Sequence, residues 1–330
     1  MLSIGGCSAN TDRAVLTSAD PAGQASDAGA GDAGDNSAGN QDGVTPPAPV
    51  DRSDAGPCTE VVDVVLALDV SSSMGFVLDQ LESDIARVVS AANALAPDAH
   101  FGLVSFVDNH AFDTTGPLEG GVVHTDASTL QSAFARVRTT YTTPNRNPGD
   151  GPSGPTTQNP ICEENALDAL YAAANEFPWR DNATRVVIVA TDDSFLEAPD
   201  NYGDRDGDGR TNLTDFPREG DYPALRNLAD TVSALKKARV RVFSFTRAGY
   251  EKDALTELLE GPCGCGTGCR LGDSTHVGDG WSVPYAGQTP LPEATDGRNF
   301  DLGQVQSGAL SLADTINDVV VDSYCSPPPI

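Results

Sequence analysis

Two stretches of the chain place oxygen-bearing side chains at spacings suited to a hard cation. The first, Asp69-Val70-Ser71-Ser72-Ser73-Met74, sets a carboxylate and two hydroxyls at alternate positions. One turn can aim all three at a single point, a donor set that suits Mg²⁺. The motif closes a nearly continuous apolar run, Val61 to Val70, broken only by Asp63 and Asp69, which reads as a strand covered on both faces. In doubly wound folds ligands bind beyond the carboxyl ends of such strands. A second run, Val186 to Ala190, leads into Thr191-Asp192 and puts another carboxylate on the same rim. Serines after a strand also serve as caps of the following helix, so the first motif alone leaves both readings open.

The second stretch runs from Asp204 to Asp215. Asp204, Asp206, Asp208, Asn212 and Asp215 fall at positions 1, 3, 5, 9 and 12 of a loop with Gly209 at position 6 for the sharp turn. With Arg210 between them, these residues form a candidate calcium loop. Its ending in Asp resembles single dockerin or thrombospondin type 3 repeats, while Pro217 discourages a regular exit helix. A solvated acidic turn is the plain alternative. We expect the calcium to be structural, ordering an insertion over residues 195–222 beside the first site.

These motifs need elements to carry them, and from Glu60 onward strand-like and helix-like segments alternate. Val77, Leu81, Ile85, Val88, Val89, Ala92 and Leu95 recur at helical spacing, one stripe of an amphipathic helix. His100 to Val107 predicts the next strand, and Val122 to Thr125 a weaker one. A helix is expected over Glu163 to Glu176, a strand over Val186 to Ala190, a helix over Ala224 to Ala238 and a strand over Val240 to Phe245. Asp253 to Leu259 reads as helix up to the stop at Gly261-Pro262. A short strand over Asn299 to Leu302 and a closing helix over Ser307 to Val321 complete the order. Such alternation predicts an α/β fold with a doubly wound, Rossmann-like, mostly parallel sheet flanked by helices. Two insertions rich in Gly and Pro, 142–160 and 261–296, are expected to be surface loops.

The buried strand, the DxSxS motif, the amphipathic helix and the later strand ending in Thr-Asp together resemble the von Willebrand factor type A domain over Glu60 to about Tyr324. In that family these residues form a metal-ion-dependent adhesion site for one divalent cation. The resemblance implies that Ser71 and Ser73 bind the metal directly and that Asp69 and Asp192 act mainly through water and hydrogen bonds. It also implies Mg²⁺, or Mn²⁺ or Ca²⁺, as the ion. The family's third loop usually supplies a threonine, absent at the expected place here. Cys162-Glu163-Glu164-Asn165-Ala166 is similar instead to integrin β subunits, which makes Glu164 the third-loop ligand, with Glu163 as alternate and Thr157 behind it. Two acids at a helix N-terminus are also favoured by its dipole alone. The integrin β acids that hold an adjacent metal correspond to Gly75 and Phe76, so a second ion there is not expected. The resemblance implies binding rather than turnover: an acidic group of a partner completes the metal's coordination, and loop closure is passed to the last helix.

Composition narrows the partners. Lys and Arg total 20 against 48 Asp and Glu, a net charge of -28, so the surface repels phosphate backbones and anionic headgroups. Nucleic acid is excluded, and no apolar run approaches a membrane span. The start, Leu2-Ser3-Ile4-Gly5-Gly6-Cys7, resembles a bacterial lipobox with Cys7 as the lipidated residue and residues 1–7 as the remnant of a signal whose true start lies upstream. Residues 8–57, mostly Ala, Gly, Ser, Asp and Pro, cannot offset the entropy of ordering. They form a tether spanning on the order of 40 Å, with the folded domain at 58–325. The remaining cysteines, Cys58, Cys162, Cys263, Cys265, Cys269 and Cys325, suit three disulfides in an oxidising envelope. A Cys58–Cys325 bridge would staple the domain's ends. Zinc on the Cys263, Cys265 and Cys269 cluster lacks a nearby fourth ligand.

No enzyme signature emerges. His100, His110, His124 and His276 have no zinc spacing, Ser153 lies in a Gly-Pro turn rather than a nucleophile elbow, and no phosphate-binding loop for a nucleotide is present. The expected function is a non-enzymatic, cation-dependent binding or adhesion module, lipid-anchored in the bacterial envelope, for a protein or glycan partner presenting a carboxylate. The alternatives are a structural envelope lipoprotein whose metals only stabilise the fold, and an accessory subunit of a metal-inserting or ATP-driven complex.

Overall fold

The computed structural model describes residues 61–144, 146–154, 164–198, 224–247 and 278–324. The buried run becomes strand β1, Val62–Asp69, with every residue inaccessible to solvent. Its neighbours are β2, His100–Phe106, and β4, Thr184–Ala190, both parallel to it. Beyond them lie β5, Arg241–Thr246, and β6, Asn299–Asp301, also parallel, and β3, His110–Phe112, antiparallel to β2. The sheet order is β3-β2-β1-β4-β5-β6, a doubly wound, mostly parallel sheet of von Willebrand factor A-like architecture. β1 at the centre explains its uninterrupted apolarity, since neither face meets water.

The two faces form two cores. Val62, Val64, Leu66 and Leu68 point to one, closed by helix α1, Gly75–Leu95, and helix α2, Ala127–Val137. Val65 and Ala67 point to the other, closed by α3, Ala166–Glu176, and α4, Leu228–Lys237. The short helices α5, Leu291–Ala294, and α6, Leu302–Gln306, precede the last helix α7, Leu312–Ser323, which packs on α1. Helix α1 buries Val77, Leu78, Leu81, Ile85, Val88, Val89 and Ala92, the expected stripe with Leu78 added and Leu95 only partly buried against the core.

Several expectations are adjusted. Helix α3 begins at Ala166 and α4 at Leu228, and the closing helix starts at Leu312 after Ser311, whose hydroxyl accepts the Asp314 N–H. Val122 to Thr125 is no strand: His124 and Val123 make single bridges to Phe101 and Leu118. Helix α2 and the antiparallel β3 were not anticipated. The insertion expected as a surface loop at 261–296 is corrected over its described part. Trp281, Leu291 and Thr295 are fully buried there, and Trp281 packs edge-on to Phe195 with centroids 6.0 Å apart. Gly280 has φ +71°, and a Cβ on it would lie 2.7 Å from a Phe195 ring carbon. A glycine read as a surface signal is thus required for close packing. In the other insertion Thr142, Asn147 and Pro148 are buried, while Ser153 lies in a turn as expected. Residues 1–60, the calcium loop at 204–215, Glu163, Thr157, His276, the Asp253–Leu259 segment and all seven cysteines lie outside the described residues.

Candidate metal centre

The carboxyl ends of β1 and β4 bring Asp69, Ser71, Ser73 and Asp192 together. Asp69 ends β1, and the chain turns at once into a single 3-10 turn, Ser72–Met74. Asp69 Oδ1 accepts the Ser71 N–H at 2.8 Å and Oδ2 accepts the Thr191 hydroxyl at 2.9 Å, which fixes the loops after β1 and β4 to each other. Ser73 Oγ donates to Asp192 Oδ1 at 2.9 Å and lies 3.0 Å from Ser71 Oγ. The Ser73 hydroxyl proton is committed to Asp192, and the Ser71 hydroxyl lies between Ser73 and the Asp69 carboxyl. The alternative role of these serines as caps is not realised: neither the 3-10 turn nor α1 receives a side-chain cap bond. The hydroxyls face each other and the carboxylate instead.

Glu164 reaches the same cluster through its backbone. Its N–H donates to Ser194 O at 2.8 Å and its carbonyl accepts the Leu196 N–H at 2.9 Å, a parallel bridge to Phe195 in the loop that begins at Asp192. The side chain is buried, and Oε2 has no hydrogen-bond partner among the described residues. An unsatisfied buried carboxylate oxygen is costly.

Burial and mutual repulsion make these acids hard to ionise. Burial, then the charge of Asp192, pushes the Asp69 carboxyl up to about 7, against the hydrogen bonds from Ser71 and Thr191. Glu164 is held well above the usual carboxylate range by burial and by Asp69, Asp108, Asp193 and Asp192. Burial also raises Asp192, opposed by Arg247 and the Ser73 hydroxyl. Among the described residues no lysine or arginine pairs with Asp69 or Glu164, whereas Arg247 lies 3.4 Å from Asp192 Oδ2.

A divalent cation fits this set. Hydroxyl and carboxylate oxygens are its preferred donors, the carboxyls lack a sufficient counter-charge, and the Glu164 oxygen lacks a partner. Among the described residues no three His, Cys, Asp or Glu side chains gather closely enough to hold a metal by themselves. A cation held here would need serine hydroxyls and water among its direct ligands, as the resemblance implies for Ser71 and Ser73.

Sequence reading missed the residues that brace the site. Asp108, fully buried just after β2, accepts the Asn147 side-chain N–H at 2.8 Å and returns its own N–H to Asn147 Oδ1 at 2.8 Å. Asn165 Nδ2 donates to Asp108 O and to Asp168 Oδ2, at 3.1 and 3.0 Å. Asp108 and Arg247 directly follow buried strands, so the rule that singled out Asp69 and Asp192 would have found them. Asn147 carried no such signal inside a Gly- and Pro-rich stretch.

No protein-family model matches the chain, and no curated protein matches it. Among solved structures it is similar to the conserved hypothetical protein BatB from Bacteroides thetaiotaomicron, at 16% identity and a TM-score of 0.36, over 78% of this chain and 99% of that one. It is also similar to an aerotolerance-related membrane protein from Bacteroides fragilis, at 13% identity and a TM-score of 0.37, over 79% and 98%. Likenesses this distant carry no argument about what this chain binds, which must come from its own residues.

Proposed function

We propose that the protein is a non-enzymatic, divalent-cation-dependent binding module, held in the bacterial envelope by a lipid on Cys7 and the tether that follows. The observation that carries this reading is the chain of hydrogen bonds from Ser71 through Ser73 to Asp192, set beside the buried carboxyls of Asp69 and Glu164. A bound cation would supply positive charge at that point and one open position for an acidic group of a protein or glycan partner. Ser71 and Ser73 would hold it, with Asp69, Asp192 and Glu164 orienting water and balancing charge. The calcium loop at 204–215 is part of the same proposal, as a structural site in the insertion over residues 195–222.

Support for an envelope setting comes from the lipobox-like start and the even number of remaining cysteines. Among the described residues no helix is long and apolar enough to cross a membrane. The test is calorimetric titration of Mg²⁺, Mn²⁺ and Ca²⁺ into chelator-treated protein, a Ser71→Ala/Ser73→Ala variant and an Asp206→Ala/Asp208→Ala variant. Two isotherms, each abolished in its own variant, are expected. One calcium isotherm indifferent to the serine changes would overturn the adhesion site.

A further inference from the structure

We propose that Arg247 is a built-in competitor of the divalent cation, occupying Asp192 when the site is metal-free and so setting the cation concentration at which the site fills. The inference rests on the proposed cation site and concerns its regulation. Arg247 is the residue immediately after β5, whose last paired residues lie beside the end of β4: Phe245 pairs with Ala190, and its carbonyl accepts the Thr191 N–H at 3.1 Å. This register brings the guanidinium to the rim, where its Nη2 lies 3.4 Å from Asp192 Oδ2. The other oxygen of that carboxylate accepts Ser73 Oγ. Asp192 therefore joins the internal cation to the hydroxyl chain in which the divalent ion would sit.

The arrangement favours exchange over a permanent pair. Asp192 is buried, but the Arg247 side chain is 38% exposed, so the guanidinium can withdraw into water at little cost while Asp192 cannot. At 3.4 Å the contact is longer than a well-formed charge-assisted hydrogen bond, which runs about 2.7–2.9 Å. One positive charge is also too little for a cluster that contains Asp69 and Glu164 besides Asp192. A divalent ion brings twice the charge and reaches the hydroxyls, so it displaces the guanidinium, yet it must first overcome it.

The test compares the wild-type full chain with Arg247→Ala and Arg247→Lys by calorimetry with Mg²⁺ alone, at low and high KCl, and by thermal melting with chelator and with Mg²⁺. Arg247→Ala is expected to bind Mg²⁺ about three- to tenfold more tightly at low salt, with the gap narrowing at high salt as the exposed charge is screened. Arg247→Lys should stay near wild type. In melting, Arg247→Ala should lower Tm with chelator and show a larger rise on adding Mg²⁺. A purely structural arginine would lower Tm in both conditions and leave Mg²⁺ affinity unchanged, and that result overturns the inference while the cation site stands. Mg²⁺ bound by neither protein overturns both. Mg²⁺ bound by Arg247→Ala but not by wild type supports the competitor outright.

Discussion

The central strand carries a buried aspartate at each end, and the two are treated in opposite ways. Asp63, at the amino end, and Asp69, at the carboxyl end, are both wholly inaccessible to solvent and face the same side of the sheet. Asp63 meets Arg180, whose backbone N–H reaches Oδ2 and whose Nε reaches Oδ1, each at 2.8 Å. The same guanidinium donates to Val62 O and Asp98 O at 2.8 and 2.9 Å. Among the described residues Asp69 is given only neutral donors and a negative neighbour, Asp192. Burying a carboxylate is tolerable when the protein supplies its partner. At one end the chain does so, and at the other the deficit is left open to a cation from solution.

Breaking the satisfied end should have the largest effect. Arg180→Ala leaves Asp63 buried without its cation and is expected to cost about 3–5 kcal/mol in denaturant unfolding, regardless of Mg²⁺. A loss below ~1 kcal/mol would show that the pair is not what makes this end tolerable.

At the open end the sign reverses with pH. The folded-state Asp69 carboxyl sits at about 7 against an ordinary 3.8, so between those values the folded protein binds more protons than the unfolded one. Stability of chelator-treated protein should be full below the lower value and fall as pH rises through about 7, by on the order of 4 kcal/mol. Asp69→Asn or added Mg²⁺ should flatten this decline, whereas a flat profile in untreated wild type would show that the charge is already balanced. Asp113 contributes with the opposite sign. Burial raises its carboxyl, but His124, Arg136 and Thr115 together bring it below its ordinary value, so its stabilisation disappears only in acid.

Glu164→Gln replaces a carboxyl whose ionisation is opposed by burial and by four neighbouring carboxylates. It should stabilise metal-free protein by about 1–2 kcal/mol at neutral pH and weaken Mg²⁺ binding in the same titration; stronger binding would remove Glu164 from the site. The smallest effect sharpens the comparison by serving as a baseline. Asp126→Ala loses the cap on α2, which accepts from Ser128 and Thr129 N–H, and should cost about 1 kcal/mol with no Mg²⁺ dependence.

How much of this was legible in the sequence depended on how local the cause was. β1, β4 and β5 were readable because burial on both faces removes polar residues from the strand itself. Ser71, Ser73 and Asp192 were readable because the turn that gathers them lies beside a strand end. Glu164 was reached only through resemblance, since what places it is a bridge to Phe195 made across the fold. Trp281 was lost among glycines that serve packing, and β3 was too short, at three residues, to leave a periodic trace.

The bridge between Glu164 and Phe195 acts as an anchor for the rim. A few residues after Phe195, Ala198 N–H donates to Arg226 O at 2.9 Å, joining the two stems on either side of residues 199–223. With both ties in place the loop after Asp192 is strapped across the rim, so the spacing of Asp69, Ser73 and Asp192 is insulated from the chain that lies beyond those contacts.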